Sequence, residues 1–483
     1  MRNPWCAVLA LIVCAVSSSA DARTYEVGPG RPLAAIGEVP WESLLPGDLV
    51  LIHWRSTPYR EKWTITRQGT AAAPIIVRGV PSAEGRLPII DGSGATTRTA
   101  LSTWSEERGV IKIGGSSIPA DTMPRFIRLE RLDIRNASQP HQFTDDTGTV
   151  RSYAINAAAV FIEKGEDITL WNCILSGSGN GLFVASVGDA PSRRIAVERS
   201  AILNNGNVGS LYEHNVYTEA LDIRFEGNYL GPLRAGASGN NLKDRSAGLV
   251  VRYNWIAGGN RQLDLVESDN PILRGDLSYA SAFVYGNVLL EADGHGNRQL
   301  VHYGGDGGTT AHYRKGTLYF FNNTLVSARS DRTTVMRLST DEERCDFRHN
   351  VVWTTAPGST LSLLDASGTL LLSRNWLKSG WVGSFSIPSP SILDDGSGVA
   401  GEYPVFRAIA QLDFRPAANS PLVDRGGPQA PGAAAHPLRL QYQPHARTAS
   451  RPQDAVVDIG AFELTSEPVE GAEDAEAISR RVR

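Results

Sequence analysis

Four side chains between positions 214 and 245 could together move a proton and hold an anion: His214, Tyr217, Lys243 and Arg245. A β-elimination from a uronic acid sugar needs its carboxylate neutralised, the C5 proton removed and the departing C4 oxygen protonated. The planar fork of Arg245 suits the carboxylate. We predict that Lys243 is the base, because the like charge of Arg245 should lower its pKa. Tyr217 or His214 would then protonate the leaving oxygen.

A second group of residues could bind the rest of an acidic sugar chain. The substrate-binding candidates are Arg234, Arg261, His302 and Tyr303. Five lysines and arginines lie between positions 234 and 261 of a chain whose net charge is −4. A polyanion is expected to bind at such a local basic cluster. The negative total charge argues against nucleic acid as the partner.

Three carboxylates in the same region, Asp264, Glu267 and Asp269, could supply oxygen ligands to Ca²⁺. A simpler interpretation makes Asp264 and Glu267 charge partners of the neighbouring cations, and the sequence Lys-Asp-Arg an ordinary solvated strand face. The glycine-rich segment 304–308 is either a flexible loop or a wall beside the substrate. No other cofactor is indicated.

The elements that position these residues follow from a repeat. From position 225 onward a β-rich stretch, an asparagine and an apolar pair recur. The asparagines are Asn228, Asn254, Asn287, Asn323, Asn350 and Asn375, with spacings of 26, 33, 36, 27 and 25 residues. Upstream, Cys173 and Ala201 stand in the same frame. Such a period is short for a four-stranded propeller blade and fits one coil of three short strands. It predicts an all-β, right-handed parallel β-helix of about ten or more coils.

Stacked asparagines at the turns are expected to form a ladder, because asparagine tolerates the left-handed conformation and bonds nearby backbone. Lys243 lies eleven residues before Asn254, and Tyr217 eleven before Asn228, so they should be neighbours on adjacent coils. The same frame places His214 beside Asn240. Alternation along the strands should then turn one strip of polar side chains outward. That strip is His214, Tyr217, Lys243, Arg245, Asp264, Glu267, His302 and Tyr303.

The remaining sequence suggests an exported, single-domain protein. Residues 1–22 have the charged start, apolar run and small residues of a secretory signal peptide, which predicts a secreted or periplasmic location. No later stretch is long and apolar enough to span a membrane. We expect one β-helix domain over residues 23–464, a disordered acidic tail over 465–483, and a monomer.

The two ends of such a solenoid need covering. Residues 32–47 are expected to form a short helical cap, and residues 402–464 an irregular cap at the other end. Cys173 and Cys345 should lie six coils apart, about 30 Å at one strand spacing per coil, which is too far for a disulfide. Both are therefore expected in the core.

The sequences Leu45-Pro-Gly-Asp-Leu-Val-Leu-Ile and Pro88-Ile-Ile-Asp-Gly, and near the end Asn419-Ser-Pro-Leu-Val-Asp, resemble those of secreted right-handed parallel β-helix proteins of the pectin lyase-like superfamily. The resemblance covers nearly the whole chain after residue 22. It implies a polysaccharide lyase, and related lyases often use calcium. The same fold also hosts hydrolases, epimerases and adhesins. A lyase acting on an acidic polysaccharide is therefore the first expectation, and a glycoside hydrolase, a uronate epimerase or a non-catalytic carbohydrate-binding protein are the alternatives.

Overall fold

The computed structural model describes residues 22–453 and 455–464. Most coils of the chain add one strand to each of three long sheets, which we name A, B and C, of 13, 11 and 13 strands. The chain is therefore a parallel β-helix, and the predicted ten or more coils are confirmed. Residues 1–21 of the predicted signal peptide and all of the predicted tail lie outside the described residues. No described helix is long and apolar enough to cross a membrane.

The strands of each sheet are given in their spatial order. Sheet A contains Thr24–Val27, Leu49–His53, Ile75–Val80, Arg125–Glu130, Glu166–Trp171, Arg193–Glu198, Leu221–Glu226, Ala247–Arg252, Ser281–Tyr285, Thr317–Phe321, Arg344–Arg348, Thr369–Ser373 and Ser391–Asp394. Sheet B contains Ile89–Asp91, Asp133–Arg135, Ile174–Ser176, Ala201–Leu203, Tyr229–Leu230, Trp255–Ala257, Val288–Glu291, Thr324–Ser327, Val351–Thr354, Trp376–Lys378 and Val399–Gly401. Sheet C contains Val150–Ser152, Gln142–Thr144, Ala95–Thr97, Glu61–Ile65, Gly109–Ile113, Ala158–Ile162, Asn180–Val184, Val216–Thr218, Leu242–Asp244, Leu263–Leu265, Gln299–Tyr303, Arg332–Leu338 and Thr360–Leu364.

Smaller elements decorate the coils. The α-helix is Pro271–Gly275, and the 3-10 helices are Ile36–Glu38, Trp41–Ser43, Glu106–Arg108, Leu277–Ala280, Thr310–His312, Ile409–Gln411 and Pro431–Ala433. Four two-stranded antiparallel pairs lie outside the sheets: Ser102–Thr103 with Ser116–Ile118, Ser186–Val187 with Ala190–Pro191, Phe406–Ala408 with Asp413–Pro416, and Leu440–Gln443 with Arg447–Ser450.

The asparagine ladder forms at the corner between sheets A and B. The side-chain oxygen of each ladder residue accepts the backbone N–H of the ladder residue one coil earlier, at 2.8–3.0 Å from Asn228 to Asn375. Upstream, Ser200 rather than Ala201 holds the ladder position, because its hydroxyl oxygen accepts the N–H of Cys173 at 3.1 Å. The left-handed residue of each turn is the one before the asparagine, such as Tyr253. The ladder therefore satisfies buried turn amides coil after coil.

The N-terminal coil is closed as expected. Within residues 32–47 two 3-10 helices bury Ile36 and Trp41, and the Trp41 ring stacks on that of Trp63 with centroids 4.9 Å apart. The interior of the coils is a continuous apolar core that includes Cys173 and Cys345, both unpaired and buried.

The C-terminal segment lies in a different place from the one expected. Residues 402–464 pack along the side of the helix, where Phe406 and Phe414 cover Trp255 and Trp353 of sheet B. The physical reason is the outer face of sheet B, which carries large apolar side chains that would otherwise meet water. The segment therefore covers the flank of several coils and leaves sheet C open.

Candidate active site on sheet C

One column of side chains runs across the outer face of sheet C. Tyr217 is the register partner of Lys243, Lys243 that of Asp264, and Asp264 that of His302, so the predicted neighbours Tyr217 and Lys243 do pair. We call the seven aligned positions the outer column. They are Phe161, Phe183, Tyr217, Lys243, Asp264, His302 and Arg337. Residues on either side of them, such as Leu242, point into the core.

Lys243 is held between two carboxylates. Its Nζ lies 3.1 Å from Oδ2 of Asp264 and 2.6 Å from Oδ2 of Asp306. Burial favours the neutral amine, but the two negative charges outweigh burial and the positive charge of Arg245, so the pKa of Lys243 is raised. Arg245 does act to lower the pKa of Lys243, as predicted, but the net shift is upward, so the low pKa expected for a base is not found. Lys243 is an ammonium group at neutral pH and suits the holding of an anion better than the removal of a proton.

Arg245 lies between the phenol of Tyr217 and the same Asp306. Its Nε donates a hydrogen bond to the Tyr217 hydroxyl oxygen at 2.9 Å, and its Nη2 lies 3.5 Å from Oδ1 of Asp306. Lys243 and Arg245 thus converge on one carboxylate, while Arg245 also holds the hydroxyl oxygen of Tyr217.

His214 packs against Tyr217, with ring centroids 5.5 Å apart. The backbone N–H of Asn240 donates to its Nδ1 at 2.8 Å, as the expected proximity of the two residues implies. Burial lowers the pKa of His214 to about 3, with the charge of Lys243 acting in the same direction. The ring is therefore neutral, and because Nδ1 accepts, the ring proton is on Nε2.

The buried, neutral His214 predicts a loss of stability on acidification. At pH values between 6.5, the pKa of an unfolded histidine, and about 3, the pKa of His214 in the folded protein, the unfolded chain binds a proton at His214 and the folded chain does not. The free energy of unfolding should therefore fall as the pH drops through this window, by about 2 kcal/mol at pH 5 from this residue. Denaturant titrations at pH 7 and pH 5 should show a smaller fall for His214→Gln. The exposed His295 is the control, because His295→Gln should fall as the wild type does.

Asp264 is the buried centre of the outer column. Oδ1 of Asp264 accepts from Nδ1 of His302 at 2.8 Å, and Oδ2 accepts from Nδ2 of Asn240 at 2.7 Å. Burial tends to raise the pKa of Asp264, but the His302 hydrogen bond and the charge of Lys243 outweigh it and lower this pKa. Asp264 is therefore an ionised anchor that fixes Lys243.

Two of the predicted substrate-binding residues are buried. His302 is 1% exposed and lies between Asp264 and the hydroxyl of Ser339, at 2.8 and 2.9 Å, so it positions Asp264. Tyr303 is fully buried in the core beside Leu265 and Leu338. Adjacent residues of a strand face opposite sides, so His302 and Tyr303 could not both have belonged to the outward strip.

The three candidate calcium ligands are not gathered. Asp264 is occupied as described, Asp269 is exposed, and Glu267 accepts backbone N–H groups of Asp306 and Gly307. Glu267 therefore anchors the glycine-rich loop 304–308, which brings Asp306 over Lys243. The carboxylates that do cluster within 4.8 Å among the described residues are Glu106, Asp145 and Asp146. In that group Glu106 accepts a hydrogen bond from the hydroxyl of Thr97 and lies 3.8 Å from Nζ of Lys62. None of the three carboxylates belongs to the outer column.

The other two predicted substrate-binding residues, both arginines, differ in how many polar partners they have. Arg261 is largely buried and donates to Oε1 of Gln299 at 2.8 Å, with Asp264 3.7 Å away. Arg234 is half-buried and has no carboxylate within 4.0 Å among the described residues. The one hydrogen bond that its side chain makes there is from Nη2 to the backbone carbonyl of Ser178, at 3.5 Å. Arg234 therefore keeps an unpaired positive charge.

No family model matches the chain, and no curated protein matches it. Among solved structures it is similar to pectate lyase Pel9A, with 14% identity, a TM-score of 0.48, and 92% of this chain and 97% of that chain covered. A rhamnogalacturonan lyase has 13% identity and a TM-score of 0.45, with coverage of 86% and 98%. A lacto-N-biosidase from Eubacterium ramulus has 13% identity and a TM-score of 0.41, with coverage of 78% and 67%. At such identities the similarity concerns the fold alone.

Three parallel sheets with one strand of each per coil, stacked on an asparagine ladder, decide the fold class. The chain is a parallel β-helix. In this β-helix, two residues of the site were given no role from the sequence, although Asn240 was expected beside His214. Asp306 lies in a glycine-rich segment whose path no periodicity predicts, and Asn240 supplies two hydrogen bonds to the site from a loop. Arg337 extends the outer column, and only the register of the later coils could have revealed it.

Proposed function

We propose that this protein is a polysaccharide lyase that cleaves a uronate-containing acidic polysaccharide by β-elimination on the outer column. The observation that carries the proposal is the convergence of Lys243 and Arg245 on one carboxylate, that of Asp306, at 2.6 and 3.5 Å. A uronate carboxylate has the same chemistry as Asp306 and would replace it there. Asp306 lies on a glycine-rich loop and its side chain is more than a third exposed, so a substrate carboxylate can displace it from Lys243 and Arg245.

The roles proposed for the residues follow from their charges. Lys243 and Arg245 neutralise the substrate carboxylate, which makes the C5 proton acidic. Tyr217 is the base that removes that proton, because its oxygen accepts the hydrogen bond from Nε of Arg245 at 2.9 Å and so lies beside the bound carboxylate. The electron pair left on C5 forms the C4–C5 double bond as the C4–O bond breaks, and Tyr217 returns the proton to the departing oxygen. Neutral His214 beside Tyr217 can donate a hydrogen bond from Nε2 to the same oxygen.

Hydrolysis is the second candidate, and the geometry of the outer column favours it less than elimination. A hydrolase needs two carboxyl groups, one of them protonated at neutral pH. Asp264 has a lowered pKa and both of its oxygens are engaged, which is the opposite of a general acid. An epimerase would use the same base and needs a second proton donor across the sugar ring. The predicted signal peptide and the proposed acidic polysaccharide substrate together support action outside the cytoplasm.

The deciding experiment incubates the purified protein with alginate, pectate, glucuronan and glycosaminoglycans. Elimination creates an unsaturated uronate, so we expect a rise in ultraviolet absorbance together with new reducing ends. New reducing ends without absorbance would replace the lyase by a hydrolase. A changed sugar composition in polymers of unchanged length would indicate an epimerase, and binding without any chemical change would indicate a carbohydrate-binding protein.

A further inference from the structure

A second cationic position lies on sheet C, toward its N-terminal end. Arg108 ends the 3-10 helix Glu106–Arg108, directly before the strand Gly109–Ile113. Its guanidinium carbon lies 4.6 Å from the ring centroid of Phe161 and 4.8 Å from that of Phe183. Both phenylalanines belong to the outer column. The guanidinium is thus held against two aromatic rings on the same face as the proposed catalytic residues.

The side chain of Arg108 has no hydrogen bond or ion pair with any residue in the described part of the chain, and its Nε is buried without a partner. The two nearest acids already have cations of their own. Glu107 pairs with Arg151 at 3.2 Å, and Glu163 pairs with Lys112 at 2.7 Å. The two Nη groups of Arg108 are not among the buried atoms and have no partner in the described part of the chain, so they are the donors that an external acceptor can reach.

We propose that Arg108, held by Phe161 and Phe183, binds a carboxylate of the polysaccharide at a distance from the reacting sugar. Phe183 lies two strands and Phe161 three strands from Lys243 along the outer column. At one strand spacing per step, Arg108 is about 10–14 Å from Lys243. The aromatic rings orient the guanidinium, and its planar fork receives the carboxylate in a bidentate manner.

This inference rests on the proposed function in one respect, since it takes the ligand to be the acidic chain that also reaches Lys243. It adds the substrate class: a polymer that carries a second uronate several sugars from the cleaved bond. Chains with isolated uronates would gain nothing from Arg108. Short oligomers bound over Lys243 would end before reaching it.

Calorimetric binding of dimers and hexamers of galacturonate, mannuronate and guluronate tests the site without any need for catalysis. We expect Arg108→Gln to weaken the binding of at least one hexamer by roughly tenfold or more, as loss of a charged hydrogen bond implies, and to leave dimer binding unchanged. Arg108→Lys should lie between, because it keeps the charge and loses the fork. The exposed Arg86 gives the matched control, since Arg86→Gln should bind as the wild type does. Unfolding midpoints confirm that each variant folds.

Three results would overturn the site. They are hexamer binding by Arg108→Gln equal to wild type, no hexamer bound by the wild type, and neutral cellohexaose bound as tightly as the uronate hexamers. Failure of the proposed function has a different signature. A wild type that produces no unsaturated uronate, yet binds a hexamer in an Arg108-dependent way, would exclude the lyase and retain the site.

Discussion

Tyr217→Phe should lower kcat for eliminative cleavage by roughly a thousandfold, within the range that a positioned acid or base contributes. The substitution removes one oxygen atom, which accepts the 2.9 Å hydrogen bond from Nε of Arg245. The ring stays packed on Phe183, with centroids 4.8 Å apart, and on His214. The variant should therefore fold and bind uronate hexamers like the wild type, while the proton transfer at C5 is lost. Absorbance kinetics and hexamer binding measure the two effects separately.

Tyr25→Phe is the matched control, because Tyr25 lies in the first strand of sheet A, far from the outer column, and its loss should leave kcat unchanged. Lys243→Met should raise KM as well as lower kcat, because Lys243 is proposed to hold the carboxylate. A Tyr217→Phe variant with nearly normal kcat would remove Tyr217 from the base role. If Lys243→Met alone then lost all turnover at normal KM, the original assignment of Lys243 as the base would return.

The pKa of Lys243 was predicted to be lowered and is raised in the structure, and the difference shows which physical information a sequence lacks. Its neighbour in the chain is Arg245, which lowers its pKa, but its neighbours in space are two acids. Asp264 is 21 residues away and Asp306 is 63. Asp264 could be placed by counting along the coils, because regular coils preserve register. Asp306 could not, because it lies in an insertion whose path depends on hydrogen bonds from its backbone to Glu267.

The regular part of the fold was predictable for a physical reason. In a parallel β-helix each coil must repeat the side-chain directions of the one before, so a single anchor residue per coil fixes the register. Counting from Asn228 and Asn254 placed Tyr217 beside Lys243 correctly. The same counting erred by one residue at Ala201, because a serine hydroxyl can replace the asparagine amide in the ladder. The chemistry of the position is conserved along the helix even where the residue type changes.

The ladder itself should add measurably to the stability of the central coils. Oδ1 of Asn254 accepts the backbone N–H of Asn228 at 2.9 Å, and its Nδ2 donates to the carbonyl of Phe225 at 3.0 Å. Asn254→Ala leaves the buried N–H of Asn228 without its acceptor and removes one hydrogen bond from the carbonyl of Phe225. Each such group costs about 1–3 kcal/mol, so we expect the free energy of unfolding to fall by about 3 kcal/mol in denaturant titrations.

Asn254→Ser should restore part of that loss, because a serine oxygen at this position can accept the neighbouring N–H as Ser200 does for Cys173. Asn207→Ala is the control: it also removes an asparagine amide, but one whose hydrogen bond to the Ile155 carbonyl is exposed to water. Its cost should stay below about 0.5 kcal/mol, as for most surface changes. If Asn254→Ala were no more destabilising than Asn207→Ala, strand pairing and the apolar core alone would hold the coils in register. The asparagine repeat would then reflect turn conformation, and its value for locating Tyr217 and Lys243 would be independent of any contribution to stability.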